Sequence, residues 1–476
     1  MNEHIDMKIS GSSTMPGGEY GSVSISGAGK VNGSLKCEEL HCSGRQKKQK
    51  VKKPLKTLAI WLLVILCLEG LYFFCIYTNN SFVKKWRTIY INTAMDTMRH
   101  QWLATYFIPK DVIDEVRYEY GLVKAGTVGK ESTWGRTDPA PADQTPSTSD
   151  DNIVTLDPNV THETDQPDAE ELTQEELEKQ AEENFYSVFW ELDRTSMETY
   201  LAEHPDTLAN GWEHIYINEA GFDDKGTSIQ STFGEQVLAI DAYNGVLLLR
   251  ISGKGYRGVL AVGKDPSRLS IEMATTLGTA GQLSGTIAEA HNGVLAMNAN
   301  GFLDPNGAGN GGLLAGYTMS NGKAYGDHFS AYAYKRIELH EDDLFYIKDA
   351  LSPVSEDCTD AAEFTPALIV DGKKIMDDYW TGEQPRACIG QSEKYEILML
   401  VIEGRYPLEG ILGTSVNNCS EILLQHKCMQ AINLDGGSSA MLWFDGEYVT
   451  QSSSSPLRYT GGRPLPNAWV YKKAES

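Results

Sequence analysis

Five short stretches between residues 297 and 468 place carboxylates, guanidinium groups and amides where apolar runs end. In Met297-Asn298-Ala299-Asn300-Gly301-Phe302-Leu303-Asp304, a buried-strand pattern stops at amides that can both donate to and accept from hydroxyls. In Pro385-Arg386-Ala387-Cys388-Ile389-Gly390, an Arg stands at a strand start stiffened by Pro, a natural clamp for an anion. In Val401-Ile402-Glu403-Gly404-Arg405, an apolar run delivers a carboxylate and a guanidinium together. Asn433-Leu434-Asp435-Gly436-Gly437-Ser438-Ser439 ends a buried run on an Asp, with glycines that allow close backbone approach. Gly461-Gly462-Arg463-Pro464-Leu465-Pro466-Asn467-Ala468 adds another Arg and Asn before the closing run. Each alone has a plainer explanation, since Gly-rich turns are common and a strand-end Glu and Arg often only pair at the surface. Glu403 and Asp435 with Arg386, Arg405, Arg463 and the amides suit a substrate that carries both a sugar and a phosphate.

The elements that must position these groups are mostly strands. Val237–Ile240, Gly245–Leu249, Gly258–Val262, Val294–Met297, Ala367–Val370 and Ile397–Ile402 are short apolar runs bounded by Gly- and Asp-rich turns. Asp371-Gly372 and Asp445-Gly446 sit between apolar runs as hairpin turns do. One helix is expected from about Ser415 to Met429, capped by Thr414 or Ser415. On such a helix Cys419 and Cys428 stand about 13 Å apart, too far to bridge, so any disulfide must use Cys358 or Cys388. Strands outnumber helices without regular alternation. The expected fold is α+β, a mixed β-sheet core with packed helices.

The rest of the chain sets where this domain works. Of 476 residues with a formal charge of −24, the balance argues against nucleic acid as a partner. Thr57 to Thr78 is apolar except for Glu69, 22 residues or about 33 Å as a helix, enough to span a bilayer. Arg45, Lys47, Lys48, Lys50, Lys52, Lys53 and Lys56 precede it, while Lys84, Lys85 and Arg87 follow, so the N-terminus is expected in the cytoplasm and the C-terminal domain outside. The expected order is a cytoplasmic tail at 1–56 with a short Gly-rich β-solenoid-like remnant and a transmembrane helix at 57–78. A juxtamembrane helical stalk at 79–129, an acidic disordered linker at 130–183, a helical lead-in at 184–233 and the globular domain at 234–473 follow.

The series Pro385-Arg386 with Ile389-Gly390, Glu403-Gly404-Arg405, Asn433 to Ser439 and Arg463-Pro464 with Pro466-Asn467-Ala468 resembles the phosphodiester glycosidase family. The resemblance covers roughly residues 234–473. Two segments depart from the family pattern: Asn-Gly-Gly-aromatic appears as Asn298-Ala299-Asn300-Gly301-Phe302, and Asp-Gly-Arg appears as Glu403-Gly404-Arg405. The resemblance implies hydrolysis between a sugar anomeric carbon and a phosphodiester oxygen, on cell-wall or exopolysaccharide polymers of a bacterial surface. Asp435 and then Glu403 are the expected catalytic carboxylates, with Arg386 stabilising the leaving phosphate. Asn298, Asn300, Gly301, Asp304, Arg405, Asn433, Gly436, Gly437, Ser438, Arg463 and Asn467 are the expected substrate contacts. No cofactor and no metal site is expected; the carboxylate and amide oxygens could hold a structural calcium ion, but calcium-loop spacing is absent. His291 and His328 are read as core or hydrogen-bonded histidines. A non-catalytic glycan-binding or polymer-assembly module is the alternative from a different class.

Overall fold

The computed structural model describes the chain except residues 1–5, 12–13, 28–29, 44–53, 98–99, 135–172, 223–224, 305–308, 330–333, 376–381, 455–459 and 476. Most of the expected acidic linker therefore lies outside the described residues. Two compact units divide the chain, Met1–Cys75 and Ile76–Ser476. The first holds three parallel strands, Asp6–Gly11, Thr14–Gly27 and Lys30–Ser43, and most of helix α1 (Pro54–Tyr77). The Ala59–Tyr77 part of α1 is long and apolar enough to cross a membrane.

The second unit opens with three helices, α2 (Ser81–Met95), α3 (Gln101–Thr105) and α4 (Lys110–Ala125). Asn80 caps α2 by accepting from the Phe82 and Val83 amides. Ile91, Ala94, Ala104, Val112, Ile113 and Val116 close a small core between the three. Arg117 of α4 donates to Asn92 and pairs with Asp96 at 2.6 Å, tying the group together. The segment after α4 docks on the strands. Lys335 donates through Nζ to the Thr127 and Lys130 carbonyls, and the Ser132 amide donates to Ile347 O. Trp134 donates through Nε1 to Phe345 O. The start of the expected linker is thus a peptide docked on the globular domain. Its end is helical: α5 (Gln174–Val188) begins inside the expected linker, set by a Thr173/Glu176 capping box, and α6 (Arg194–Glu203) follows.

The apolar runs form antiparallel sheets. The largest has nine strands, and its centre is Cys428–Asn433, Arg386–Ser392, Ile397–Ile402, Tyr256–Gly263 and Val246–Gly253 in that order. A five-stranded sheet centres on Gly293–Asn298 between Leu442–Phe444 and Asn467–Lys472. A second five-stranded sheet places Cys358–Phe364 beside Lys335–His340. Leu260, Val401 and Ile432 of the first, Leu295 and Trp469 of the second, and Ile337 and Phe345 of the third share one hydrophobic core. Every described strand pair from Tyr216 onward is antiparallel, which corrects the expected mixed sheet. Tight turns join several of the neighbours: Asp371 and Gly372 take φ of +48° and +70°, and Asp445 and Gly446 +41° and +96°, the left-handed pair that a two-residue hairpin needs. Helix α7 (Ser284–Ala290) packs on the second sheet, and α8 (Val416–Gln425) on the first.

Helix α8 is shorter than its sequence pattern. Ser415 caps it, but Lys427 takes φ of +57° and the chain enters a strand at Cys428. Cys428 is therefore a strand residue beside Gly390 of the neighbouring strand, not a residue of the helix that carries Cys419. Cys388, Cys419 and Cys428 are all buried, and burial pushes the Cys388 and Cys428 thiols well up. Thiols held protonated and out of water are poor nucleophiles. All three are expected to resist a water-soluble disulfide reagent in the native chain and to react on denaturation. Mass spectrometry of labelled peptides checks this, and native labelling of Cys388 within minutes would contradict it.

Candidate active site

The register of the nine-stranded sheet brings three of the sequence motifs to one end. Arg386 pairs with Ile402, the residue before Glu403, and Cys388 pairs with Asn433, two residues before Asp435. On the second sheet Asn298 pairs with Ala468, next to Asn467. The stretch Leu434 to Met441 carries the chain from the first sheet to the second, because Cys428–Asn433 belongs to one and Leu442–Phe444 to the other. Asp435 stands at the start of this crossover.

The groups around Asp435 come from several of these strand ends. Asn298 donates through Nδ2 to the Asp435 carbonyl at 2.7 Å. Its Oδ1 is buried with no hydrogen-bond partner among the described residues. Burial raises the Asp435 carboxyl; a hydrogen bond from Ser439 and the charges of Arg463 and Arg405 pull it back, while Asp304 pushes it up. Arg463 pairs with Asp304 at 2.7 Å, donates to Gly309 O at 3.1 Å and lies over the Phe302 ring at 4.4 Å. Arg405 adopts φ of +66°, and its Nη1 lies 3.1 Å from where a Cβ on Gly437 would be. A side chain on Gly437, itself at φ of +63°, would strain the backbone and press on that guanidinium. Gly436 is equally constrained, since a Cβ there would meet Pro385 O at 2.5 Å. Ser438 sits half-buried in the same turn.

Other expected site residues are engaged elsewhere. Asn300 and Asn467 clasp each other: Asn300 N donates to Asn467 Oδ1 and Asn467 Nδ2 to Asn300 Oδ1, both at 3.1 Å. Thr318 Oγ1 and Tyr317 O complete that buried cluster. Gly301 packs under Phe364. Asn433 donates to Thr365 O. Arg386 is buried and donates to the Thr414 and Gly382 carbonyls. Its charge reaches Arg405, whose guanidinium is held below its ordinary range by burial and then by Arg386. Glu403 is turned toward Arg257, which donates from Nε at 2.6 Å, and it accepts the Gln451 amide at 2.8 Å. Phe222, Arg250 and Val449 line a small pocket with it.

Residues 291–472 match the family model described as phosphodiester glycosidase. That stretch, about two-fifths of the chain, is similar to phosphodiester glycosidases. No curated protein matches the chain. Three solved structures are similar at low identity. The zebrafish N-acetylglucosamine-1-phosphodiester alpha-N-acetylglucosaminidase catalytic domain, auto-inhibited by its pro-peptide, is 14% identical over 56% of this chain and 91% of that one, with a TM-score of 0.40. A hypothetical protein from Synechocystis is 15% identical over 49% and 63%, with a TM-score of 0.34. A putative exported protein from Burkholderia pseudomallei is 13% identical over 46% and 74%, with a TM-score of 0.35.

Two surroundings of the candidate site escape a reading of short motifs. Thr97, just after α2, accepts from Arg405 Nη2 at 3.3 Å, so a residue far upstream in the chain reaches the arginine. Tyr334, just before the strand Lys335–His340, lies within electrostatic reach of Asp435, and its phenol is raised by burial and by that carboxylate. No local pattern marks either residue, because both contacts are long-range. Among the described residues, no group of three His, Cys, Asp or Glu side chains is placed to hold a metal ion.

Proposed function

We propose that the chain is a membrane-anchored extracellular hydrolase that cleaves between a sugar anomeric carbon and a phosphodiester oxygen in cell-surface glycopolymers. The observation that carries this reading is the meeting of Asp435, Arg405 and the Arg463–Asp304 pair beside Asn298, within the stretch similar to phosphodiester glycosidases. The departing phosphate is already a stable anion, so it requires positive charge more than a proton; Arg405 and Arg463 supply that. Asp435 stabilises the oxocarbenium-like anomeric centre. The buried, unpartnered Asn298 Oδ1 is the acceptor for a sugar hydroxyl. Arg386 acts from behind, fixing the Gly382 and Thr414 loops and adding its charge to that of Arg405. The apolar α1, long enough to cross a membrane, supports the anchor, and the basic run before it supports an outward domain.

One observation favours glycan binding without cleavage: Glu403, the second expected carboxylate, is engaged by Arg257 and the Gln451 amide. The full chain in detergent micelles, given a panel of hexose and N-acetylhexosamine 1-phosphate methyl diesters, decides between them. Release of free sugar and methyl phosphate is expected. Tight binding of the polymer with no release from any diester would replace the hydrolase by the binding module.

A further inference from the structure

Helix α2 starts just after the apolar segment and ends at the candidate site. Three residues separate Tyr77, the end of α1, from Ser81, the start of α2. Just past the other end of α2, Thr97 accepts from Arg405 Nη2 at 3.3 Å. One turn earlier Thr93 backs onto Gly382, where a Cβ would lie 2.8 Å from Thr93 N. The Gly382 carbonyl in turn accepts from Arg386. The 15 residues of α2 span about 22 Å, and the few residues flanking them add at most about 17 Å. Thr97 therefore stands no farther than about 40 Å from Tyr77. The expected acidic linker at 130–183 follows this contact in the chain, so it adds no reach between Tyr77 and the site.

The same helix carries a row of aromatic side chains that its own core leaves outside. Phe82, Trp86 and Tyr90 recur every four residues, one helical face, and all are exposed, Phe82 at 68%. Phe82 and Trp86 meet edge to face at 6.4 Å. Tyr90 donates through its hydroxyl to Leu103 O, tying the row to α3. There Trp102, Tyr106 and Phe107 are exposed too, Tyr106 at 83%. Apolar surface gathered in this way marks a contact with something other than water. The residue types fit a bilayer interface, where rings with a polar tip collect at headgroup level. The charge fits as well: α2 carries Lys84, Lys85 and Arg87 and no carboxylate, the sign that anionic headgroups attract, although Lys84 also pairs with Glu119. We propose that this aromatic face lies in the interface of the bilayer that α1 crosses, and that the candidate site therefore acts on sugar phosphodiesters anchored in that bilayer by a lipid. This rests on the anchored-hydrolase reading. In such a substrate the water oxygen bonds to the anomeric carbon, and the bond from that carbon to the phosphate oxygen breaks with its electron pair left on the phosphate. One water proton stays on the new sugar hydroxyl and the other passes to solvent. The sugar leaves, and the phosphate monoester stays on the lipid.

The full chain reconstituted in phosphatidylcholine–phosphatidylglycerol vesicles tests both parts. Phosphatidylcholine brominated high on its acyl chains quenches tryptophans at the interface. Replacing Trp86 and Trp102 together by Phe should lower the quenched share of tryptophan emission, because emitters in contact with lipid are removed. A quenched share that rises would overturn the placement, and a cross-link between copies through Tyr106→Cys would then make a second copy the occupant of the face. For the substrate, wild type is given the dioleoylglycerol diester of whichever sugar 1-phosphate it cleaves as a methyl diester, placed in its own vesicles or in separate ones. Cleavage in its own vesicles should be about 10²-fold faster at equal bulk concentration, the gain from holding both partners on one surface. Trp86→Ser, Trp102→Ser and Tyr106→Ser combined should cut that gain by about tenfold. The same variant should keep its melting temperature and its kcat on the soluble methyl diester. Equal rates in own and separate vesicles, with the methyl diester cleaved, would overturn the lipid-anchored substrate and leave the hydrolase standing. A wild type inert on every diester while the quenched share falls would overturn the hydrolase and its substrate and keep the aromatic face at the interface.

Discussion

Asp435→Asn is expected to lower kcat on a sugar-1-phosphodiester by about 10³-fold or more, the scale on which removing one aligned charge from a closed site acts. The substitution is close to isosteric. The Asn298 amide bonds to the Asp435 backbone carbonyl, so that contact survives. Gly436 and Gly437 keep their approach to Pro385 and Arg405, because neither depends on the side chain. The charge is what disappears. The carboxyl sits above its ordinary range chiefly because burial disfavours the anion, with Arg463 and Arg405 as counterweights and Asp304 pushing further up. A group that must be ionised to stabilise a cationic centre then loses function at a higher pH than an exposed Asp would. The Asp435 contribution is full at high pH and fades as pH falls through that raised value. The check is kcat and binding measured together: binding of a sugar 1-phosphate should persist while turnover collapses. A variant that keeps kcat within about tenfold would remove Asp435 from the chemistry.

The five motifs are legible in the sequence but their partners are not, and the division has a physical basis. A strand that ends in a polar residue is a local pattern, so the residue order alone marks Asn298, Arg386, Glu403 and Asp435 as strand-end groups. The sheet register then brings Arg386, Glu403 and Asp435 to a common end. What a side chain does at that end depends on residues far away in the chain. Glu403 reads as half of a carboxylate pair; Arg257, on the adjacent strand, claims it. Asn300 and Asn467 read as two sugar contacts; facing each other, they satisfy each other. Helix α8 ends early because one left-handed residue, Lys427, outweighs an apolar periodicity that runs on into the next strand. The stretch around Asp435 keeps its place but gains a cause: it joins the first sheet to the second, so its glycines serve the crossing as well as the site.

Arg336→Leu is expected to destabilise the Ile76–Ser476 unit by about 3–5 kcal/mol, the cost of leaving a buried ion-pair network without one partner. Arg336 has no solvent exposure. It pairs with Glu338 at 2.7 Å and Glu363 at 3.5 Å, and donates to the carbonyls of Ala350, Ser352 and Pro353. Leucine fills part of the volume and satisfies none of these acceptors. The loss should depend on pH. Burial pushes the Glu338 carboxyl up, but hydrogen bonds from His340 and Ser355 and the charge of Arg336 outweigh it and bring it down to about 2 from an ordinary 4.5. A carboxylate depressed in the folded state stabilises the fold above its unfolded value, and that contribution is lost as pH falls from about 4.5 toward about 2. Without Arg336 the depression shrinks. The gap between wild type and variant should therefore be widest near neutrality and narrow on acidification. Denaturant melts of the full chain in detergent at several pH values measure it. A gap that grows as pH falls would mean that Arg336 mainly repels other cations, and the network drawn around Glu338 and Glu363 would be wrong.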